Sequence, residues 1–423
     1  MNELLSHQRV VPEKPIVNQL RDRGVIVHAP LSCTFQDIDA ERIEAGVEIY
    51  GGVNLVGKQT RFGAGTKIGK AGGGYFENVQ AGRGCDLFGG YYKDCVFLDG
   101  VTIRGHAEMR GGTVLEEGCE AAQHVGYKMT VMLPYVVAGS LLNFCDALFA
   151  GGTSRKDHSE IGSCLALYNF TPWGDKWASQ FGDVARGVFM RSPKIFVGGQ
   201  TQIVSPVHVG FGSVIPAGCA VRRDVPEGRM VGAASVAIDM PFDAKRYGTL
   251  TPKLKRTVVY LANMRALLYW YQNVRMPIAG SDLFLVGLYQ GAMRQILANI
   301  SERIKRLDQL VERLPSSIER LAEECEIAKA LGDEVKQVRY TARMKEQQSL
   351  VERWPSLRSQ LMKTPPPISG GALKDLVAAY GKIRAKKEIR YIDFIRHAPG
   401  PLVTEGIAHM EAYTRQLSLA DLV

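Results

Sequence analysis

In the stretch YGGVNLVGKQTRFGAGTKIG, residues 50 to 69, an apolar residue stands directly before glycine four times, at Tyr50, Val56, Phe62 and Ile68. An interval of six matches neither the 3.6-residue period of a helix nor the two-residue period of a strand. The beat returns at Phe97, Ile103, Met109, Leu115 and Ala121, then at Met132, Ala138, Phe144 and Ala150, and at Ile161 and Leu167. It runs without a break from Val197 through Ile203, Val209 and Ile215 to Val221. Three such hexapeptides close one triangular turn of a parallel β-helix. Each supplies a short strand, one inward apolar residue and a tight corner where glycine accepts positive φ. A turn buries its apolar residues only against neighbouring turns, so many must stack and the ends must be capped. The runs predict roughly nine to eleven turns within residues 40 to 245, preceded by a cap segment over residues 1 to 39.

Composition divides the chain where the period stops. Residues 1 to 250 hold 36 of the 45 glycines and balance 25 Lys+Arg against 25 Asp+Glu. The remainder carries 27 against 18, the whole net charge of +9. There the spacing becomes helical: Met293, Leu297, Ile300, Ile304, Leu307, Val311 and Leu314 alternate by four and three, the seam of a coiled coil or tight bundle. "PSS" (315 to 317) predicts a stop, and "SIERLAEE" a new helix with a serine N-cap. "TPPPISGG" (364 to 371) reads as a linker inside an α-helical region spanning 250 to 423.

Several function classes lose ground on composition. No apolar run is long enough to span a membrane, and the charged start MNELLSHQRVVPEKP lacks the apolar core of a signal peptide, so a cytoplasmic protein is expected. The eight cysteines are scattered without a C-x-x-C pair, which predicts small buried residues in a reducing compartment, with no metal site. The positive excess is modest and no basic motif is interleaved with aromatics, so nucleic acid is not an expected partner. "KIRAKKEIR" (382 to 390) reads either as a solvated helix face or as a contact for an acidic protein or an anionic membrane surface.

A solenoid body is committed to packing, so chemistry is sought where the beat breaks. It breaks at 69 to 95 and, at greater length, at 151 to 194. The second break opens on TSRKDHSE, which places Ser154, the cation pair Arg155 and Lys156, and His158 between Asp157 and Glu160. It continues with YNFTPWGDK, where Asn169, Trp173 and Lys176 offer hydrogen bonds and an aromatic surface. Arginine and lysine beside hydroxyls suit a phosphate, and tryptophan beside asparagine suits a sugar or base. The same composition also describes a polar loop whose charges pair in water. His124 and His158 are candidate general bases, because imidazole exchanges protons near neutral pH. Asn143 precedes the beat residue Phe144.

The run VGGQTQIVSPVHVGFGSVIPAGCAVRRDV (197 to 225) resembles the closing turns of hexapeptide-repeat sugar-phosphate acyltransferases. GHAEMRGGTVLEEGCEAAQHVGYKMTVMLPYVVAGSLLNFCDALFAGGT (105 to 153) is similar to the turns that carry the acetyl-transfer site of that family. Both stretches resemble the acetyltransferase half of the bifunctional UDP-N-acetylglucosamine pyrophosphorylase/glucosamine-1-phosphate N-acetyltransferase. The resemblance implies a left-handed parallel β-helix assembled as a homotrimer, with acetyl-CoA or another acyl-CoA and a sugar phosphate or nucleotide sugar in a cleft between neighbours. Carried over residue by residue, the family's base histidine falls on Gln123, with His124 one step later, and its site asparagine falls on Asn143. The serine near the acyl carrier falls on Gly199 and the alanine beyond it on Ala217, while Arg222 and Arg223 would meet the carrier's phosphates. The family's asparagine-tyrosine-aspartate-glycine loop aligns with GGTSRKDH and is not reproduced, and no nucleotidyltransferase phosphate loop precedes the turns. Three readings stay open: a transferase, a non-catalytic scaffold that binds a sugar nucleotide, and a lipid-A-type acyltransferase.

Overall fold

The computed structural model describes residues 15 to 417 apart from 236, 238, 240 and 241. Helix α1 (Pro15–Asp22) covers the end of a stack of parallel strands that climbs on three sides. The first side is a ten-stranded ladder from Ile26–Val27 to Val214–Ile215. The second climbs from Thr34–Gln36 to Ala220–Val221, and the third from Arg61–Phe62 to His208–Val209. Val125–Met132 and Leu142–Phe149 are long enough to run along the second side, bend, and continue on the third. This is the parallel β-solenoid that the six-residue beat predicts, within the expected number of turns. The first paired strands lie ahead of residue 40, where the beat first becomes legible, and the first 14 residues of the expected cap segment fall outside the described residues.

The beat residues are the core. Phe97, Ile103, Met109, Leu115, Met132, Phe144, Ala150, Ile161, Val197, Ile203 and Ile215 are all fully buried. In the opening stretch the register differs: Phe62 and Ile68 point inward, but Ile49 and Leu55 are the buried residues beside them, and Tyr50 and Val56 are half-exposed. The beat glycines also have two reasons to be glycine. Gly57 and Gly69 have positive φ, whereas Gly51 and Gly63 do not. At Gly63 a side-chain carbon would lie 2.7 Å from the Arg83 nitrogen of the next turn, so close approach, not φ, excludes a larger residue. Many corners of positive φ are filled by other residues, among them Asn78, Asp94, His106 and His124.

Beyond residue 250 come α3 (Thr251–Trp270), extended by a π-helical turn (Tyr271–Arg275), then α4 (Met276–Ala279, following the short α2 at Val184–Gly187 in the solenoid), α5 (Leu283–Val311), α6 (Leu314–Ala330), α7 (Glu334–Met362), α8 (Ala372–Arg384), α9 (Tyr391–His397) and α10 (Gly400–Arg415). Residues 364 to 371 contain no helix. The PSS segment does not stop a helix: α6 starts at Leu314 with proline in its first turn, where its missing N–H costs nothing. Ser317, the expected cap, is buried and accepts the Tyr247 N–H through Oγ (2.9 Å). The predicted a/d seam is buried at Ile300, Ile304, Leu307 and Leu314 but not at Leu297, which is exposed while its neighbour Ile296 is buried.

The helices cover the third side. Along α5, every fourth residue meets the solenoid: Gly287 lies against the Arg61 guanidinium, Gly291 against the Gln80 amide, Gln295 and Asn299 bond the Gly112 backbone (2.8 and 2.7 Å), and Arg303 pairs with Asp146. Where the third side turns into the first, Arg275 is 1% exposed between Glu116 (3.0 Å) and Glu117 (2.6 Å), with the rings of Tyr271, Tyr289 and Tyr391 packed around its guanidinium.

Asp99, one turn below on this edge, accepts the Arg83 N–H (2.7 Å), but burial raises its carboxyl to about 6. The unfolded chain, with its aspartate near 3.8, loses that proton first, so Asp99 withdraws stability as pH rises from about 4 through 6. Asp99→Asn retains an acceptor for Arg83 and is expected to be more stable than the parent by about 2 to 3 kcal/mol at pH 8, the advantage vanishing near pH 4. Urea unfolding at both pH values checks this; an equal difference at both would contradict it.

Candidate functional site

The edge between the first and second sides lies away from the side that the helices cover and carries a repeating left-handed residue. His106, His124, Leu141, Cys164 and Gln200 have φ between 56° and 62° and follow one another up the edge. Successive turns are tied by backbone hydrogen bonds, from the His124 N–H to Gly105 (3.2 Å), Leu141 to Gln123 (3.0 Å), Cys164 to Ser140 (2.8 Å), Gln200 to Ser163 (2.8 Å) and Gly218 to Gly199 (2.9 Å). The positive φ is a property of the corner, not a mark of function at any one position. What distinguishes the lower part is chemistry. The imidazoles of His106 and His124 lie parallel with centroids 4.9 Å apart, and Gln123 Oε1 accepts the Ser140 hydroxyl at 3.2 Å. His124 and Gln123 are both exposed.

Asn143 stands on the second side just past this edge. Its partners on the adjacent turns are Gly126 below and Ala166 above, so the asparagine side chain has no large neighbour along the ladder. It accepts a weak hydrogen bond from Cys145 Sγ (3.4 Å) and is otherwise turned to solvent. Glu108, paired with Gly126, and Lys128, paired with Cys145, complete a polar lane on this face. Gln123, His124 and Asn143 are therefore brought together. Ala217 lies on the same edge, four turns above Gln123 by the bonds just given, about 19 Å at the usual strand spacing. Arg222 and Arg223 are exposed just beyond the last strand of the second side.

His158 and its cluster lie elsewhere. The hairpin Gly152–Ser154 with Asp157–His158 leaves the edge between the third and first sides, across the first side from His124. Arg155 folds back to pair with Glu120 and bond the Gly118 carbonyl (2.7 Å). His158 Nδ1 meets the Arg155 carbonyl (2.9 Å), and its Nε2 lies 3.8 Å from Glu160. The Ser154 hydroxyl accepts the Asp157 N–H (3.2 Å), which closes the turn. Lys156 is exposed. Part of this loop is thus the self-paired polar turn that its composition also allowed.

Asn169, Trp173 and Lys176 are drawn into the seam with the helices. Asn169 donates to the buried Asp146, Trp173 Nε1 donates to the Asp243 carbonyl (3.0 Å), and the Lys176 carbonyl accepts from Arg303 (2.6 Å). Asn169 shares Asp146 with Arg303, Trp173 is tied to residue 243, and Lys176 meets Arg303 through its main chain, arrangements that a sequence cannot disclose. His106 and Ser140 are the residues that sequence reasoning missed. His106 lies 18 residues before His124, one full turn of three hexapeptides, so the period itself contained the signal.

Five of the eight cysteines are buried and all are free. Among the described residues no group of His, Cys, Asp and Glu is arranged to hold a metal ion, and no helix is long and apolar enough to cross a membrane. The basic segment 382 to 390 is helical only over its first three residues, since α8 ends at Arg384.

The chain is similar to curated proteins named "Bifunctional protein GlmU". That of Aromatoleum aromaticum is 26% identical over 218 residues, 52% of this chain and 39% of that protein. That of Lawsonia intracellularis is 28% identical over 224 residues (53% and 44%), and that of Nitratidesulfovibrio vulgaris 26% over 245 (56% and 48%). The chain thus spans less than half the length of the curated relatives it matches. No protein-family model matches it. The shared half and the solenoid together make this a hexapeptide-repeat region resembling the C-terminal half of GlmU, in agreement with the likeness read from the sequence.

Proposed function

We propose that this chain, whose solenoid resembles the C-terminal half of GlmU, is a transferase acting on a sugar phosphate or nucleotide sugar, and that its reaction is acyl transfer from an acyl-CoA to an amine or hydroxyl of that sugar. The observation that carries this reading is the edge, away from the side that the helices cover, where the His106–His124 stack, Gln123, Ser140 and the uncrowded Asn143 converge. An acyl-CoA would supply the activated acyl group. His124 takes the proton that the attacking amine or hydroxyl sheds as its bond to the acyl carbon forms, and that proton goes on to the CoA thiolate released when the thioester C–S bond breaks, a role typically worth 10²- to 10⁴-fold. Asn143 holds the acceptor sugar, and Glu108 and Lys128 offer further hydrogen bonds beside it.

The residues present fit a long carrier. Above Gln123 the small residues Ser140, Ser163, Gly199 and Ala217 rise along the edge beside the exposed Leu141 and Gln200, and across the second side from its top stand Arg222 and Arg223, whose charges suit the carrier's phosphates. With the third side covered, a homotrimer would pack through the first and second sides and place this edge against a neighbour.

A thermal-shift panel with acetyl-CoA, free CoA, UDP-N-acetylglucosamine and glucosamine-1-phosphate tests the proposal. A ligand at 100 times its Kd stabilises the folded state by about 2.7 kcal/mol. Stabilisation by the CoA species and by one sugar species is expected. A response to the sugar nucleotide alone would replace the transferase with a binding scaffold, and no response to any would remove the site.

A further inference from the structure

We propose that a second site, a cleft between residues 242–246 and the α6–α7 hairpin, binds a small molecule of the nucleoside diphosphate class through its phosphates. The cleft lies on the helical half, apart from the histidine edge, and encloses about 790 Å³, the size range of small-molecule sites. Six cations line it: Lys245, Arg246, Arg320, Lys336, Arg339 and Arg343, against the two carboxylates Asp243 and Glu324. Those carboxylates are already engaged. Arg320 bonds Asp243 (2.6 Å) and pairs with Glu324 (3.1 Å), Arg246 also pairs with Glu324 (3.1 Å), and Lys336 pairs with Asp333 (2.8 Å).

Lys245, Arg339 and Arg343 are left over. None has a carboxylate within ion-pair distance among the described residues, and the Nε of Arg343 is buried without a hydrogen-bond acceptor. Burial, and then the charges of Arg339 and Arg246, depress the basicity of Arg343. Guanidinium groups gathered in this way are unfavourable until an anion joins them, and phosphate oxygens match their planar donors. A ring platform adjoins the charges. Phe242 is 62% exposed and lies 5.7 Å from Trp173, while Arg246 and Arg339 each sit 5.6 Å from the Tyr340 ring. Phosphates on the arginines would leave an attached base within reach of Phe242.

Calorimetric titration of the full chain with pyrophosphate, UDP and uridine at 0.15 M NaCl tests this. Pyrophosphate and UDP are expected to bind one per chain here and uridine at least 100-fold more weakly. Arg339→Ser with Arg343→Gln should weaken both anions at least tenfold while His124→Asn leaves pyrophosphate affinity unchanged. Arg339→Ser alone, an exposed substitution, should lose several-fold even if the double variant folds poorly. Absence of pyrophosphate binding, equal affinity in both arginine variants, or uridine binding as tight as UDP would overturn the proposal. Failure here leaves the transferase reading intact, since that depends on CoA and on His124.

Discussion

Arg275→Met is expected to lower the free energy of unfolding by about 3 to 5 kcal/mol, the usual consequence of removing one partner from a buried charge cluster. Methionine fills much of the volume, so the loss is electrostatic. It strands Glu116, 1% exposed with Tyr271 donating to it (2.7 Å), and Glu117 beside it. Burial already pushes the Glu116 carboxyl up to about 7 with Arg275 in place. A carboxyl raised in the folded state contributes stability at low pH and forfeits it as pH climbs, so the defect should be larger at pH 8 than at pH 5. The variant carrying Glu116→Gln and Glu117→Gln as well should recover much of the loss, because no unpaired charge remains. Urea unfolding of the single and triple variants decides the matter. A triple variant no more stable than the single one would show that the arginine acts through packing against its three tyrosines.

His124→Asn should reduce acyl transfer by 10²- to 10⁴-fold in kcat. Asparagine tolerates the left-handed conformation that His124 holds at φ 57°, so the fold is expected to survive unchanged. His158→Asn, on the opposite edge, should leave turnover within about twofold, the range of a substitution away from the reacting atoms. His106→Asn should fall between, since it removes the stacking partner but not the base. Steady-state rates of the three variants against the parent give the ranking. An unaffected His124 variant, or an equal loss at His158, would move the proton acceptor elsewhere.

The solenoid was legible because its core residues recur at a fixed interval and nothing else in a chain produces that interval. Even so, Tyr50 and Val56 carried the beat by one residue away from the truly inward Ile49 and Leu55, since aromatic and branched residues suit a half-exposed strand position equally well. The corner holding Gln123, His124 and Asn143 was legible through the period together with a family likeness. The surroundings of Asn169, Trp173 and Lys176 were not, because residues held by internal hydrogen bonds have the same composition as a ligand loop. The α5 surface was hidden for a related reason. Its solenoid-facing stripe is Gly287, Gly291, Gln295, Asn299 and Arg303, small and polar, and hydrophobic periodicity looks past such residues.

That stripe works as a gauge. From Gly287 to Arg303 a helix advances about 24 Å, and the five turns separating Arg61 from Asp146 rise by about the same distance. The two scales are graduated differently, about 17 residues to a turn on one and four residues to a step on the other, yet they share a total length. A turn duplicated or deleted between Arg61 and Asp146 would throw every later mark out of alignment, whereas one added above Val197 would meet no graduation of α5. In a fold that can otherwise grow by simple repetition, α5 sets the count.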